Sequence, residues 1–132
     1  MNLEILIVDD DEVVLLIHKA MIAEYGLPKE TGAFRNGKQT LEYLLSNNQR
    51  DKNILIFLDI NMPLMNGWEL LEAIEEHNLL SNIYVIMVTS SINPADKAKS
   101  SEFDKIIDFV EKPLSEDVIA KIKENEVLKS WL

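Results

Sequence analysis

The chain has 132 residues, of which 47% are hydrophobic and 27% are charged, so it is long enough for one domain with a sizeable core and too short for two ordinary domains. Its net charge of -10, without any basic cluster, argues against direct binding to nucleic acid or to anionic membranes. The absence of cysteine excludes disulfides, thiolate metal sites and a cysteine nucleophile.

The N-terminus has neither the basic start nor the long apolar run of a signal peptide. No apolar run approaches the roughly 18 residues that a transmembrane helix needs. We therefore expect a soluble cytoplasmic protein without membrane insertion.

The first half of the chain alternates between strand and helix patterns. The apolar run at residues 5–8 predicts a buried strand, and a helical period begins at Glu12 and stops near Gly26 and Pro28. The apolar residues at helical spacing, which we expect to form the buried face of this helix, are Val13, Leu16, Ile17, Ala20 and Met21. Residues 30–34 predict a more polar strand at a sheet edge.

The next helix begins at Asn36-Gly37, with Leu41, Leu44 and Leu45 expected to face inward. Residues 54–58 are continuously apolar, as in a strand that is buried on both faces, and this run ends directly on Asp59.

The second half repeats the alternation. Asn66 and Glu69 predict a capping box, and the apolar face of the helix after it consists of Leu70, Leu71 and Ile74. Residues 83–88 predict a fourth strand that ends at Thr89. Asn93-Pro94 is a good helix start, but the helix has little to bury beyond Ala95, Ala98 and Phe103, which is typical of either a mobile or a merely short helix.

Residues 106–110 predict a fifth strand that ends just before Lys112, and Ser115 caps a last helix. The inward residues of that helix are Val118, Ile119 and Ile122. Strands alternating with helices predict an α/β fold with a parallel sheet covered on both faces. We expect one domain over residues 1–132, with a core of about residues 3–126 and a short tail at 127–132.

Four of the five predicted strands end on polar side chains. Because the carboxyl ends of parallel strands share one edge of a sheet, we expect those side chains to converge. They are Asp9, Asp10, Asp59, Thr89 and Lys112. Oxygen ligands of this kind suit a hard cation, Mg²⁺ above all. A carboxylate beside Mg²⁺ and a lysine has the surroundings of a nucleophile toward a phosphoryl group.

Together these motifs resemble the receiver domain of two-component response regulators. The matching pieces, each at a strand end, are Asp9-Asp10, the run DINMPLMNG at residues 59–67, Thr89 and Lys112-Pro113. The resemblance covers essentially the whole chain. It implies a flavodoxin-like (βα)5 fold, a doubly wound five-stranded parallel sheet with strand order 2-1-3-4-5.

The resemblance also implies roles for these residues. Asp59 is the implied phosphoacceptor, Asp10 binds Mg²⁺ directly, and Asp9 binds it largely through water. The carboxylate of Asp59 and the backbone carbonyl of Asn61 complete the implied metal ligands. Lys112 pairs with the phosphoryl group and precedes a peptide bond that is commonly cis in this family. Thr89 and Phe109 form the implied switch, in which Phe109 turns inward as Thr89 moves.

Because no effector domain follows the last predicted helix, we further expect a stand-alone bacterial regulator of the chemotaxis type. Its phosphoryl donor is a sensor histidine kinase or a phosphotransfer protein, and its output is a protein–protein surface on the fourth helix, fifth strand and fifth helix. It is not an enzyme beyond catalysing its own phosphorylation and dephosphorylation. It is expected to be a monomer or weak dimer. The alternative is a phosphorelay intermediate that passes the phosphoryl group on to a histidine phosphotransfer protein.

Other interpretations of these residues stay open. The run Asp9-Asp10-Asp11 also suits helix capping alone, with Asp11 pointing away from the site. His18 and His77 are expected to be surface or partly buried residues that do not pair with the acids. An aspartyl-phosphate phosphatase would carry a second acid at position 61, where this chain has asparagine, and a flavodoxin-like cofactor binder would not place three aspartates after its first strand. A receiver that binds partners without phosphorylation is a third alternative.

Overall fold

The computed structural model describes residues 3–90 and 92–132, and five strands alternate with five helices along this part of the chain. The strands are β1 (Leu3–Val8), β2 (Gly32–Phe34), β3 (Asn53–Leu58), β4 (Asn82–Thr89) and β5 (Ile106–Glu111). The helices are α1 (Glu12–Glu24), α2 (Gly37–Ser46), α3 (Gly67–His77), α4 (Pro94–Ser100) and α5 (Glu116–Glu124), followed by a 3₁₀ helix (Leu128–Trp131).

All strand pairs are parallel, and the sheet order is β2-β1-β3-β4-β5. The expected flavodoxin-like order 2-1-3-4-5 is therefore confirmed, with the short β2 at one edge as its polar sequence predicted. β3 is buried along its whole length because β1 and β4 flank it and helices cover both of its faces. β5 forms the other edge, and its pairing with β4 shifts register between Val85 and Ile86.

The sheet separates two apolar layers. The first layer packs β-strand side chains such as Ile56 and Leu58 against α2 and α3, with Leu44, Leu71 and Ile74 among the buried residues. The second layer lies on the opposite face, where α1, α5 and the 3₁₀ helix pack on strand residues that alternate with those of the first. This two-sided cover explains why the central strands are uniformly apolar.

Helix caps lie at the predicted residues. Asn66 and Glu69 form a reciprocal capping box at α3, each side chain accepting a hydrogen bond of 2.9 Å from the backbone N–H of the other residue. Asn36, Asn93 and Ser115 cap α2, α4 and α5.

The predicted inward faces of α1 and α2 are only partly right. Met21, Leu41 and Leu44 pack on the apolar layers as expected, but the other predicted residues do not. In α1, Val13, Leu16 and Ile17 are 63%, 67% and 42% exposed, and the exposed residues also include Ala20. The residues that α1 buries are Leu15, His18 and Ile22. In α2, Leu45 is 42% exposed, whereas Thr40 and Leu44 are buried. The run VVLLI in α1 supplies apolar residues on almost every side, so periodicity alone did not identify the face that docks on the sheet.

α4 buries no residue of its own, and both Ala95 and Ala98 are exposed, contrary to expectation. Phe103, just beyond the helix, is 8% exposed and stacks on Trp68 of α3 with ring centroids 5.8 Å apart. The ammonium of Lys99 lies 5.1 Å from the centre of the same Trp68 ring. Trp68 of α3 therefore contacts both Lys99 of α4 and the segment just after this helix.

The C-terminal residues belong to the packed body. Leu128 is completely buried and Trp131 is 9% exposed, and the indole ring lies 5.7 Å from the ring of Tyr84. The apolar core thus extends past residue 126, the limit that the sequence suggested. Within residues 3–90 and 92–132, no helix has the length and hydropathy needed to cross a membrane.

Candidate functional site

The carboxylates of Asp9 and Asp59 lie side by side at the carboxyl edge of the sheet. Val8 and Leu58 are register partners in β1 and β3, so the residue after each of them leaves the sheet at the same level. Asp59 donates its backbone N–H to the carbonyl of Val8 at 3.0 Å, and Asp9 donates its own to the carbonyl of Phe34 at 3.0 Å. The side chains of Asp9 and Asp59 are buried, whereas Asp10 is exposed.

Lys112 supplies the counter-charge. Its Nζ lies 2.6 Å from Oδ2 of Asp9 and 3.4 Å from Oδ2 of Asp59. Burial by itself would lower the pKa of Lys112, but the hydrogen bond to Asp9 and the charges of both carboxylates outweigh it, so the pKa is raised. The ammonium therefore stays protonated between the two acids.

The pKa of Asp59 is raised from 3.8 to about 6, first because the carboxyl group is buried and second because Asp9 is close. Lys112 and the backbone N–H of Ile60, which donates to Oδ1 of Asp59 at 2.8 Å, act in the opposite direction without cancelling the rise. A carboxyl group with a perturbed pKa at a sheet edge is typical of a functional site.

Three carboxylates could share a cation. Asp9, Asp10 and Asp59 each offer an oxygen, and these oxygens all lie within 4.8 Å of one another. This all-oxygen donor set fits a hard cation such as Mg²⁺. Asp11 points elsewhere as expected, because its side chain caps α1 by accepting from the N–H of Val13 at 2.8 Å.

Thr89 and Phe109 lie on the neighbouring strands. Thr89 ends β4, is 3% exposed, and accepts the backbone N–H of Lys112 on its carbonyl at 2.7 Å. Phe109 in β5 is the register partner of Met87 in β4, and its ring is partly buried against the first apolar layer. The peptide bond between Lys112 and Pro113 is cis, as the resemblance implied.

The loop after β3 brings a close backbone approach. Asn61 is exposed in this loop, and Gly67 donates its N–H to the carbonyl of Ile60 at 2.8 Å. A Cβ on Gly67 would lie 2.5 Å from the carbonyl oxygen of Asp59, so any other residue there would displace the chain that carries this aspartate. Asn61 follows Asp59 by two residues, and Ser91 follows Thr89 by two residues. Ser91 lies outside the residues that the structure describes.

Sequence reasoning missed two residues near the site. His18 was expected to be a surface or partly buried residue that does not pair with the acids, but it is only 2% exposed. Burial lowers its pKa, and the charges of Asp9 and Lys112 also affect this pKa. Arg35 donates to the backbone carbonyl of Asp10 at 2.9 Å and pairs with Glu12 at 3.1 Å, which supports the acidic loop from β2. Only the position of Arg35 directly after the β2 strand could have hinted at its role.

The fold and this edge define a flavodoxin-like α/β protein with a carboxylate pair, a lysine and a threonine at the carboxyl ends of its strands. A family model described as the response regulator receiver domain matches residues 5–124. The chain belongs to this family.

Relatives and solved structures agree with that assignment. Two-component response regulator 24 of Arabidopsis thaliana is 32% identical over 86% of this chain and 76% of its own length. A probable cyclic di-GMP phosphodiesterase of Vibrio cholerae is 36% identical over 84% of this chain but only 23% of its own length. The crystal structure of a two-component response regulator from Cytophaga hutchinsonii superimposes with a TM-score of 0.83 at 27% identity, covering 97% of this chain and 98% of that one.

Proposed function

We propose that this receiver domain accepts a phosphoryl group on the carboxylate of Asp59 in a Mg²⁺-dependent reaction, and that phosphorylation changes a protein-binding surface. The observation that carries the proposal is a buried Asp59 with Lys112 at 3.4 Å and two further carboxylates at its side. The resemblance to the family supplies the donor, a histidine kinase or phosphotransfer protein. A cytoplasmic, bacterial setting stays a prediction.

In the proposed step, an oxygen of Asp59 attacks the phosphorus atom of the donor's phosphohistidine. The P–N bond breaks, its electron pair stays on the imidazole nitrogen, and an aspartyl phosphate forms. Asp9, Asp10, Asp59 and the carbonyl of Asn61 would hold Mg²⁺, which supplies positive charge against the phosphoryl oxygens. Lys112 starts between both acids, so its ammonium needs only a short movement to contact the new phosphoryl group.

The proposed output runs through α4, β5 and α5. α4 has no buried residue and depends on Lys99 and Phe103 for its contacts to α3. Such a weakly held element suits a shift between two pre-existing conformations. Thr89 and Phe109 would couple the site to it, with the Thr89 hydroxyl binding the phosphoryl oxygens and the phenyl ring moving inward.

The decisive experiment is labelling by acetyl phosphate, which needs no cognate kinase. We expect one phosphoryl group per chain in the presence of Mg²⁺, no label with EDTA, and no label on Asp59→Asn. Asp11→Asn is the matched control, because it makes the same chemical change two residues from Asp9 and asparagine still caps α1. Absence of label on the wild type at any Mg²⁺ concentration contradicts the proposal and would leave a receiver that binds partners without phosphorylation.

Fluorescence gives a second readout. Trp68 contacts both Lys99 and Phe103, so its emission should change when beryllofluoride binds and α4 shifts. A Trp131→Phe background removes the other tryptophan. Binding of beryllofluoride without any change at Trp68 would contradict the proposed output surface but not the phosphoacceptor.

The lifetime of the label should also depend on the side chains of two residues that follow Asp59 and Thr89. Asn61 and Ser91 lie two positions after Asp59 and Thr89, where the family resemblance places control of attack by water. We expect exchange of either residue to change the rate of dephosphorylation with little effect on Mg²⁺ affinity, measured by decay of the purified phosphoprotein. An unchanged decay rate in both variants contradicts this role.

The single-domain, stand-alone function is likewise a proposal. The relatives include longer proteins, and the chain matches 37% of the length of chemotaxis protein CheV1 of Helicobacter pylori. A phosphorelay intermediate is the second candidate, and it predicts that labelled protein loses its phosphoryl group rapidly to a histidine phosphotransfer protein. The enzymatic alternative is disfavoured because position 61 carries an asparagine where a phosphatase of that type needs an acid.

A further inference from the structure

His18 is a buried imidazole that the proposed phosphoryl transfer does not use. It lies in the middle of α1 and is 2% exposed, among residues that otherwise pack on the second apolar layer. Its Nε2 accepts a hydrogen bond of 3.3 Å from the backbone N–H of Leu114. A leucine would fill this place in the core, but it would offer no acceptor to that N–H group.

The imidazole is in the right state to accept. Burial, opposed by Asp9 and reinforced by Lys112, lowers the pKa of His18 from 6.5 to about 4, so the ring is neutral near neutral pH. In the neutral ring one nitrogen is an acceptor, and the bond to Leu114 identifies it as Nε2.

The partner of His18 belongs to the turn that carries Lys112. The backbone N–H of Lys112 donates to Thr89 at 2.7 Å, and two residues later the N–H of Leu114 donates to His18. Pro113, between them, has no N–H to donate. The turn is thus held from both sides, by β4 before the proline and by α1 after it.

The same elements line a cleft beside the site. His18, Ile17, Ser90, Lys112 and Pro113 are among the residues around this space of about 270 Å³. Because the cleft borders the turn, a smaller or apolar side chain at position 18 would leave the turn free to shift toward it.

We propose that His18 is a positioning residue that fixes the turn at 112–114 and thereby places the ammonium of Lys112 between Asp9 and Asp59. Only the expected effect of His18 on the labelling rate rests on the proposed phosphoryl transfer. The placement of Lys112 is a property of the unphosphorylated protein and is measured separately.

The test compares three variants of the full chain. His18→Leu removes the acceptor, whereas His18→Gln keeps an oxygen at a similar reach. Ile22→Val shortens a side chain on the same helix and in the same apolar layer, but it leaves the acceptor of the Leu114 N–H in place. With saturating acetyl phosphate and Mg²⁺, we expect His18→Leu to be labelled more slowly by on the order of 10- to 100-fold, because small misplacements of catalytic groups have effects of this size. His18→Gln should recover most of the rate, and Ile22→Val should match the wild type.

The second readout is the NMR signal of the Lys112 ε-carbon in protein made with isotope-labelled lysine and assigned with Lys112→Arg. The chemical shift of this signal should change in His18→Leu and stay near its wild-type value in His18→Gln and Ile22→Val. If His18→Leu does not fold, His18→Asn replaces it, since its shorter side chain places the oxygen short of the Leu114 amide.

An unchanged Lys112 signal, or equal losses of rate in His18→Leu and His18→Gln, overturns the positioning role. If the wild type takes no label at all, the proposed function fails, while the Lys112 signal still decides for or against His18.

Discussion

The carboxyl group of Asp59 is ionised at neutral pH in a place that disfavours its charge. Burial and the neighbouring Asp9 raise its pKa, and the ammonium of Lys112, nearer to Asp9 than to Asp59, compensates only in part. The carboxylate of Asp59 therefore lacks full charge compensation, and additional positive charge at the site would stabilise it. These are suitable surroundings for a nucleophile.

The raised pKa of Asp59 leads us to expect that the stability of the folded protein depends on pH. Because the folded pKa of about 6 exceeds the ordinary 3.8, the folded state holds more protons between these values, and stability falls as the pH rises through this window. Asp59→Asn removes the effect, so we expect the variant to be more stable than the wild type near neutral pH, by up to about 3 kcal/mol. The stability advantage of Asp59→Asn over the wild type should be about 1.4 kcal/mol smaller at about pH 5 than at about pH 8.

Urea unfolding with EDTA present measures this difference at both pH values. Asp11→Asn serves as the control, since its carboxylate is exposed and its replacement also caps a helix. An Asp59→Asn advantage that is equal at the two pH values would show that the pKa of Asp59 is not raised.

At the scale of the element, α1 has two apolar faces and buries the one that the simple pattern did not predict. Leu15 and Ile22 pack on the sheet, while Val13, Leu16 and Ile17 form an exposed apolar stripe. The buried face also carries His18, whose polar ring finds a partner in Leu114, so burial of a polar residue is offset by a hydrogen bond.

The orientation of α1 gives a direct mutational test with adjacent residues. We expect Leu15→Ala to lower the free energy of unfolding by about 2–5 kcal/mol, because it removes buried methyl groups from the second layer. Leu16→Ala should change it by less than about 0.5 kcal/mol, since that side chain is 67% exposed. Denaturant unfolding of the two variants measures both values. A larger loss for Leu16→Ala would contradict the observed orientation.

At the scale of the molecule, one sheet separates two cores, and the C-terminal 3₁₀ helix completes the second of them. Leu128 and Trp131 fill the space beside α5 and Tyr84. The sheet also sets the site, because its parallel order brings β1, β3, β4 and β5 to one edge, and the residues at their ends are Asp9, Asp59, Thr89 and Lys112.

Removal of residues 127–132 should therefore destabilise the whole domain. Two large buried side chains are lost, and we expect the free energy of unfolding to fall by at least about 2 kcal/mol. Deletion of Leu132 alone is the control, because that residue is 49% exposed. If the longer truncation unfolds at the same denaturant concentration as the control, the 3₁₀ helix does not contribute to the core.

Much of this protein was predictable from local sequence signals. Continuous apolar runs predicted the central strands, because a parallel sheet covered on both faces needs apolar residues at every position. Caps such as Asn66 and Ser115 were predictable because a short polar side chain satisfies the first free N–H groups of a helix. Even the meeting of Asp9, Asp59 and Lys112 was predictable from a general rule, since parallel strands end at one edge.

Features that depend on distant partners could not be predicted from local signals. Which side of α1 is buried depends on how the helix docks, and a run of apolar residues does not encode that choice. The burial of His18 is offset by a hydrogen bond from Leu114, far along the chain, and Trp131 packs against the distant Tyr84. Local sequence signals were enough to predict the helices, the strands and the polar residues at the strand ends. The orientation of α1, the burial of His18 and the raised pKa of Asp59 came from packing between distant elements, because the groups that cause them meet only in the folded chain.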